Sequence, residues 1–219
     1  MQARPGSAGP GFTIRGMNDS RLEIIGSAAA GIAHDVNNQL TLIVNHLAVA
    51  DVAGARRAAQ QCAELTSSLL AYCRREPVIL QSLDAGRFLK AFLADLRLPG
   101  GVELQLDIPD ALPPIAADRL ALARILTNLV ANACDAMSGR GILRLTATPL
   151  TIAISDSGPG VAPDLAERIF DPFFTTRGSN GTGLGLSIVH DLMRSQGGTV
   201  TLHSKPGLGA CFTLSFRKA

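Results

Sequence analysis

Between residues 25 and 50, apolar side chains recur at intervals of four and three: Ile25, Ala29, Ile32, Val36, Leu40, Ile43, Leu47 and Ala50. At about 100° per residue these positions fall within roughly 80° of one another. The pattern predicts a helix with one narrow apolar seam, suited to a helical bundle. Ser20-Arg-Leu-Glu23 ahead of it is a capping-box pattern. Asp51-Val-Ala-Gly54 breaks the seam. A second stripe follows, Ala55, Ala58, Cys62, Leu65, Leu69 and Tyr72, until Pro77 ends it. Two such helices on a short connection read as an antiparallel hairpin. A lone hairpin cannot bury both seams, so pairing of two copies into a four-helix bundle is expected.

From Leu83 the character changes to alternating helices and strands. A helix is predicted over Asp84–Leu96 and a strand over Val102–Ile108. A long helix capped by Asp118 runs to about Met137, stopped by Gly139 and Gly141. Strands follow at Ile142–Thr148 and Thr151–Ser155, then a short helix over Leu165–Phe170 and a helix over Leu184–Gln196. A final hairpin, Thr199–Ser204 with Ala210–Phe216, turns at Pro206-Gly-Leu-Gly209. The fold class is α+β: a helical hairpin, then an α/β sandwich of one mixed sheet with helices packed on it. The boundaries read as a tail over 1–17, the hairpin over 18–77 and the sandwich over 78–219.

Composition narrows the partners. Of the 219 residues, 47% are hydrophobic and 17% charged, and the net charge is +2. There is ample apolar material for a core, and the balance gives no case for nucleic acid or an anionic membrane. No stretch approaches the ~20 apolar residues of a membrane span. The first 16 residues, rich in Gly and Pro, read as a tail without a secretory signal, and Met17 is a second candidate start. These features predict a cytoplasmic protein with no membrane sensor of its own, its input coming from an unknown upstream sensor or a soluble ligand. Cys62, Cys73, Cys134 and Cys211 form no CxxC pair and read as free thiols in a reducing compartment, without a zinc site.

Several segments carry chemistry. His34 lies roughly 180° from the apolar seam of the first helix, on a polar stripe with Asn38, Thr41 and Asn45. A neutral imidazole is a good nucleophile near pH 7, and the adjacent Asp35 can orient it or take its proton. On the long helix, Asn128, Asn132 and Asp135 share one face with Arg124 beside them, and Asn carbonyls can ligate Mg²⁺. Asp156-Ser-Gly158-Pro-Gly160 puts a carboxylate at a strand end before two glycines, placed to accept from an exocyclic amine. Gly181-Thr182-Gly183-Leu184-Gly185-Leu186 opens a helix, where backbone N–H groups can meet phosphates. This run follows a loop, unlike a Rossmann fingerprint. Between them, Phe170-Asp-Pro-Phe173-Phe174-Thr-Thr-Arg177 offers apolar anchors and a guanidinium for phosphates.

In order and spacing these segments resemble the five sequence boxes of bacterial two-component sensor histidine kinases. Gly31-Ile-Ala-His34-Asp-Val-Asn-Asn38 is similar to the H box of the HDxxN subgroup, and Asn128 to Met137 to the N box. Asp156 to Gly160 resembles the first glycine box, Phe170 to Phe174 the F box, and Gly181 to Leu186 the second glycine box. The resemblance spans about residues 20–216. It implies a dimerisation and histidine-phosphotransfer hairpin joined to an ATP-binding domain of the gyrase-like (GHKL) type. It implies His34 as phosphoacceptor, Asp35 as general base and Asn38 as the residue that positions water for phosphatase action. Asn132 and Asn128 would hold Mg²⁺, and Asp156 would hydrogen-bond the adenine amino group of ATP. The glycines, with Thr182, Leu184 and Leu186, would line the nucleotide site, together with Asp135, Phe170 and Arg177. The partners implied are a second copy and the receiver domain of a response regulator.

Three departures stand out. No sensor domain is recognisable, the hairpin below His34 is short, and so is the lid over Thr175–Asn180. One alternative is a dimeric phosphotransfer adaptor that does not use ATP; the intact ATP boxes argue against it. A GHKL ATPase or serine kinase without phosphohistidine is opposed by the H box.

Overall fold

The computed structural model describes residues 36–73, 77–176 and 181–219, with the side chains of 61, 64–65 and 67–73 outside that description. The capping box at Ser20, the seam from Ile25 to Ile32, His34, Asp35, Arg177 and the side chains of Leu65, Leu69 and Tyr72 lie outside it. The chain divides into two compact units, one ending at Cys62 and one running from Ala63 to Ala219.

In the first unit residues 36–48 are helical (α1), and a second helix, α2, begins at Val52 and runs to Cys73. The break falls at residues 49–51, with Ala50 in the left-handed region at φ 58°. Asp51 closes the turn. Its backbone N–H donates to the His46 carbonyl at 2.8 Å, and its carboxylate accepts from Gly54 N–H at 2.8 Å and pairs with His46 Nδ1 at 2.9 Å. The Gly54 N–H foremost, with His46 and Arg57, holds that carboxyl below its ordinary range. Gly54 therefore sits inside the first turn of α2, not in the break. A β-carbon there would meet the Asp51 and His46 side chains. On α2, Ala55 and Ala58 are buried as the stripe predicts. On α1, however, seam residues Leu40 and Leu47 are 48% and 57% exposed, and it is Gln39 that is buried.

The second unit is built on a five-stranded mixed sheet. Its strands are β2 (Gly101–Asp107), β4 (Arg140–Thr148), β5 (Thr151–Asp156), β7 (Ala210–Ser215) and β6 (Thr199–Ser204), in the spatial order β2-β4-β5-β7-β6. Only β2 runs parallel to its neighbour. The helices α3 (Ala85–Asp95), α4 (Arg119–Ala136) and α5 (Gly185–Ser195) complete it. Asp84 caps α3 through Arg87 N–H, and Asp118 caps α4 through Leu120 and Ala121 N–H. Helices α4 and α5 pack on each other, α4 against β4 and β5, and α5 against β6. The core between layers contains Leu122, Ile125, Leu126 and Leu129 from α4, with Leu143, Leu145, Ile152, Ile154, Met193 and Leu214. Period-two alternation sends Leu143 and Leu145 of β4, and Ile152 and Ile154 of β5, into it.

Three short strands escape the sequence reading: β1 (Gln81–Leu83), β3 (Ile115–Ala117) and β8 (Arg217–Lys218), which form a second sheet in the order β1-β3-β8. Runs of two or three residues carry no alternation to detect. The short helix predicted over Leu165–Phe170 is instead two separate 3-10 turns, Pro163–Leu165 and Arg168–Phe170. Pro172 disfavours helical geometry at the residue before it and stops the second turn. In the edge strand β2, Leu106 is exposed.

Candidate nucleotide site

Four segments of the second unit converge where β5 ends. The alternation that buries Ile152 and Ile154 also points Asp156 to the apolar face, so its carboxylate is 9% exposed. Burial pushes its carboxyl above the ordinary carboxylate range. Two backbone donors offset part of that, both on Oδ1: Gly158 N–H at 2.8 Å and Ala210 N–H at 3.4 Å. Among the described residues Oδ2 receives no hydrogen bond, and it is the oxygen left for a ligand amine.

The glycines after Asp156 are sites of close approach. A β-carbon at Gly158 would lie 2.8 Å from Asp156 Oδ1 and 3.4 Å from Ala136 at the end of α4. Gly160 has φ +74° and would press a β-carbon on the Lys205 and Gly209 carbonyls. Sequence reasoning missed the residues on the other side of this contact: Ser204, Gly209 and Ala210, at the turn of the final hairpin. Their only signal was the Gly-Leu-Gly turn itself, which read as an ordinary hairpin connection.

Helix α4 presents Asn128, Asn132 and Asp135 on one face, as offsets of four and seven require. Asn128 Nδ2 donates to the Arg124 carbonyl at 3.0 Å, which turns Oδ1 outward. That oxygen lies 3.5 Å from where a β-carbon on Gly185 would be, so it faces the first residue of α5. An amide oxygen presented beside a glycine-rich helix start fits a hard divalent cation. Asn132 is half-buried and Asp135 exposed. The neighbouring Cys134 is a buried free thiol, its pKa raised by burial and by the Asp135 charge.

The start of α5 has no side-chain cap. Ser187 hydroxyl donates to the Leu184 carbonyl at 2.9 Å, and Thr182 Oγ1 accepts from Leu184 N–H at 3.3 Å. Among the described residues nothing caps the first-turn N–H groups, which suit an anion at the positive end of the helix. Leu184 is buried, anchoring the turn, and Leu186 packs against the core. The F-box segment is clasped to this run. Phe173 N–H donates to the Gly183 carbonyl at 2.9 Å. Phe173 at φ 67° and Gly183 at φ 62° both occupy the left-handed region, and a β-carbon on Gly183 would strike the Phe173 backbone. Phe170 packs edge-on to Phe212 and near His190, and Arg168 lies over the Phe174 ring at 4.5 Å.

The structure thus brings together Asn128, Gly158, Gly160, Asp156 and Gly181 to Leu186 in one unit, with Phe170 held beside the clasp. Asn38 belongs to the other unit, on α1, and is exposed. His34, Asp35 and Arg177 lie outside the described residues. Among the described residues no cluster of His, Cys, Asp and Glu could hold a metal.

Residues 117–219 match the family described as histidine kinase-, DNA gyrase B-, and HSP90-like ATPase. The sensor histidine kinase ZraS of Escherichia coli O157:H7 is 34% identical over 213 residues, covering 89% of this chain and 46% of that protein. Over residues 117–219 the chain carries this ATPase module, and as a whole it is similar to sensor histidine kinases. It spans about half the length of that relative. Among solved structures, full-length ShkA in complex with AMPPNP matches this chain with a TM-score of 0.64 and 27% identity, over 90% of this chain and 46% of that one. The histidine kinase ThkA, solved in complex with the response regulator protein TrrA, shares the fold, with a TM-score of 0.73 at 22% identity over 92% of this chain and 64% of that one. The family's ATP-binding fold is the α/β sandwich expected from the sequence.

Proposed function

We propose that this chain is a histidine kinase that binds ATP with Mg²⁺, phosphorylates itself on His34, and passes the phosphoryl group to an aspartate of a response-regulator receiver domain. The observation that carries the reading is the buried Asp156, its Oδ1 saturated by two backbone donors and its Oδ2 open, set beside glycines that admit no β-carbon. Such a carboxylate accepts from the adenine amino group. The uncapped start of α5 takes the phosphates, and Gly181, Gly183 and Gly185 let the backbone approach them. Asn132 and Asn128 would hold Mg²⁺, which when bound neutralises phosphate charge. ShkA in complex with AMPPNP supports nucleotide binding here.

At the other end of the reaction His34 attacks the γ-phosphate in line, with Asp35 as general base. Positioning and charge neutralisation supply most of the rate. Asn38, exposed on α1, is assigned to orient water when the regulator is dephosphorylated. Asp135, Phe170 and Arg177 complete the nucleotide surroundings by resemblance. The phosphotransfer hairpin is placed at 18–77 and the catalytic domain at 78–219; α2 continues unbroken to Cys73, which supports a boundary after it. Exposed seam residues Leu40 and Leu47 support a homodimer. Among the described residues no helix is long and apolar enough to cross a membrane, in keeping with a cytoplasmic place for this part of the protein.

The test is incubation of the purified chain with γ-labelled ATP and Mg²⁺ beside His34→Ala and Asn132→Ala. Acid-labile, base-stable label on the wild type is expected, absent from both variants and from a sample treated with chelator. Nucleotide binding absent from the wild type would instead favour the phosphotransfer adaptor.

A further inference from the structure

Three hydrogen bonds stitch the final hairpin to the strip 156–161, and a fourth closes the hairpin turn on itself. Gly207 N–H donates to the Pro159 carbonyl at 2.7 Å, and Ala210 N–H to Asp156 Oδ1 at 3.4 Å. The other two share one atom. Ser204 Oγ accepts from Val161 N–H at 2.8 Å and donates to the Gly209 carbonyl at 2.7 Å. Ser204 is the last residue of β6 and half-buried, and both capacities of its hydroxyl are used.

The two backbone groups it grips are the ones that shape the Asp156 site. Val161 follows Gly160, whose absent β-carbon would sit 3.0 Å from Ser204 Oγ. Gly209, at φ +83°, packs directly on the Asp156 carbonyl, and precedes Ala210, the second donor to Oδ1. Shifting Gly209 by a few tenths of an ångström moves that donor, already long at 3.4 Å, out of range. Loss of it leaves Oδ1 on the Gly158 N–H alone, which widens the range of carboxylate orientations and so shifts Oδ2. We propose that Ser204 is a positioning residue of the nucleotide site, which sets selectivity for the adenine amino group by holding Ala210 on Asp156. This rests on the reading of Asp156 as the adenine acceptor.

The experiment compares binding of ATP and inosine triphosphate, with Mg²⁺, to the full chain and to Ser204→Ala and Ser204→Thr. Inosine triphosphate carries a carbonyl where ATP carries the amino group. Ser204→Ala is expected to lower ATP affinity about 5- to 10-fold and to leave the weaker inosine triphosphate affinity within about two-fold, so the ratio collapses. Ser204→Thr, which keeps the hydroxyl, restores it. An unchanged ratio in Ser204→Ala overturns the proposal, whether both affinities hold or both fall together. If Ser204→Ala has no cooperative melt, Ser204→Cys is read the same way, and its ratio must fall below the wild-type value. Wild type that binds ATP selectively with no response at Ser204 removes this inference and leaves the kinase reading. Wild type that binds neither nucleotide, or both equally, removes the Asp156 reading with it.

Discussion

Asp156 concentrates the conflict between stability and function at a single residue. Its burial disfavours the ionised form, and the two N–H donors recover only part of that cost. The folded pKa lies above the unfolded value of about 3.9. Below both values the carboxyl is neutral in either state and carries no penalty. As pH rises through the folded value the charge must be held in the buried site, and stability falls. Asp156→Asn keeps an oxygen for Gly158 and Ala210 and removes the charge. It is expected to melt on the order of 2 °C above wild type at pH 7, with the difference vanishing near pH 4. The same substitution is expected to weaken ATP binding about 10- to 100-fold through loss of a charge-assisted hydrogen bond. Thermal melts across pH and equilibrium nucleotide binding check the two halves.

At the level of the element, the two helices α2 and α3 each carry a glycine near the start, in opposite surroundings. A β-carbon on Gly86 of α3 would meet nothing nearer than Asp84 Oδ1 at 3.5 Å. Gly86→Ala is therefore expected to stabilise by about 0.4–1 kcal/mol, through reduced freedom of the unfolded chain. On Gly54 of α2 the added carbon falls where the Asp51 carboxylate and the His46 ring sit. To admit it the Asp51 cap must rotate away, and a lost cap costs about 0.5–2 kcal/mol, enough to cancel the gain. Gly54→Ala is expected to melt no higher than wild type. Helicity followed through thermal unfolding for the two variants tests the contrast; a Gly54→Ala chain stabilised as much as Gly86→Ala would show the His46–Asp51 clasp to be incidental.

For the whole molecule the decisive feature is an apolar surface left open on the helical unit. Leu40, Val44 and Leu47 on α1, with Val52 at the start of α2, are 48%, 65%, 57% and 68% exposed. A second copy packing on these helices would remove them from water, at about 25 cal/mol per Å² of apolar area buried. The chain is expected to sediment as a dimer. Leu47→Asp, which puts a charge into the seam, is expected to shift it to a monomer while leaving ATP binding by residues 117–219 unchanged. A monomeric wild type would remove the four-helix-bundle reading.

Much of the fold was legible in the sequence because its signals are local. Spacings of three and four marked α2 and the polar face of α4, and Asp84 and Asp118 marked their helix starts. The glycine boxes were legible because a glycine before or within a tight turn reports the backbone's need for close approach, whatever lies opposite. What lay opposite was not written locally. That Gly160 nests on Ser204 and Gly209, that Gly183 faces Phe173, and that Asn128 looks onto Gly185 are contacts between residues 10 to 57 positions apart. The same holds for β1, β3 and β8, which are too short to carry a period and exist only because the sheet pairs them. The sequence by itself determined which residues carry the chemistry. The tertiary structure alone decided that the oxygen of Asp156 held locally by the Gly158 N–H takes a second donor while the other stays open, since only packing across the sheet brings the Ala210 N–H to it.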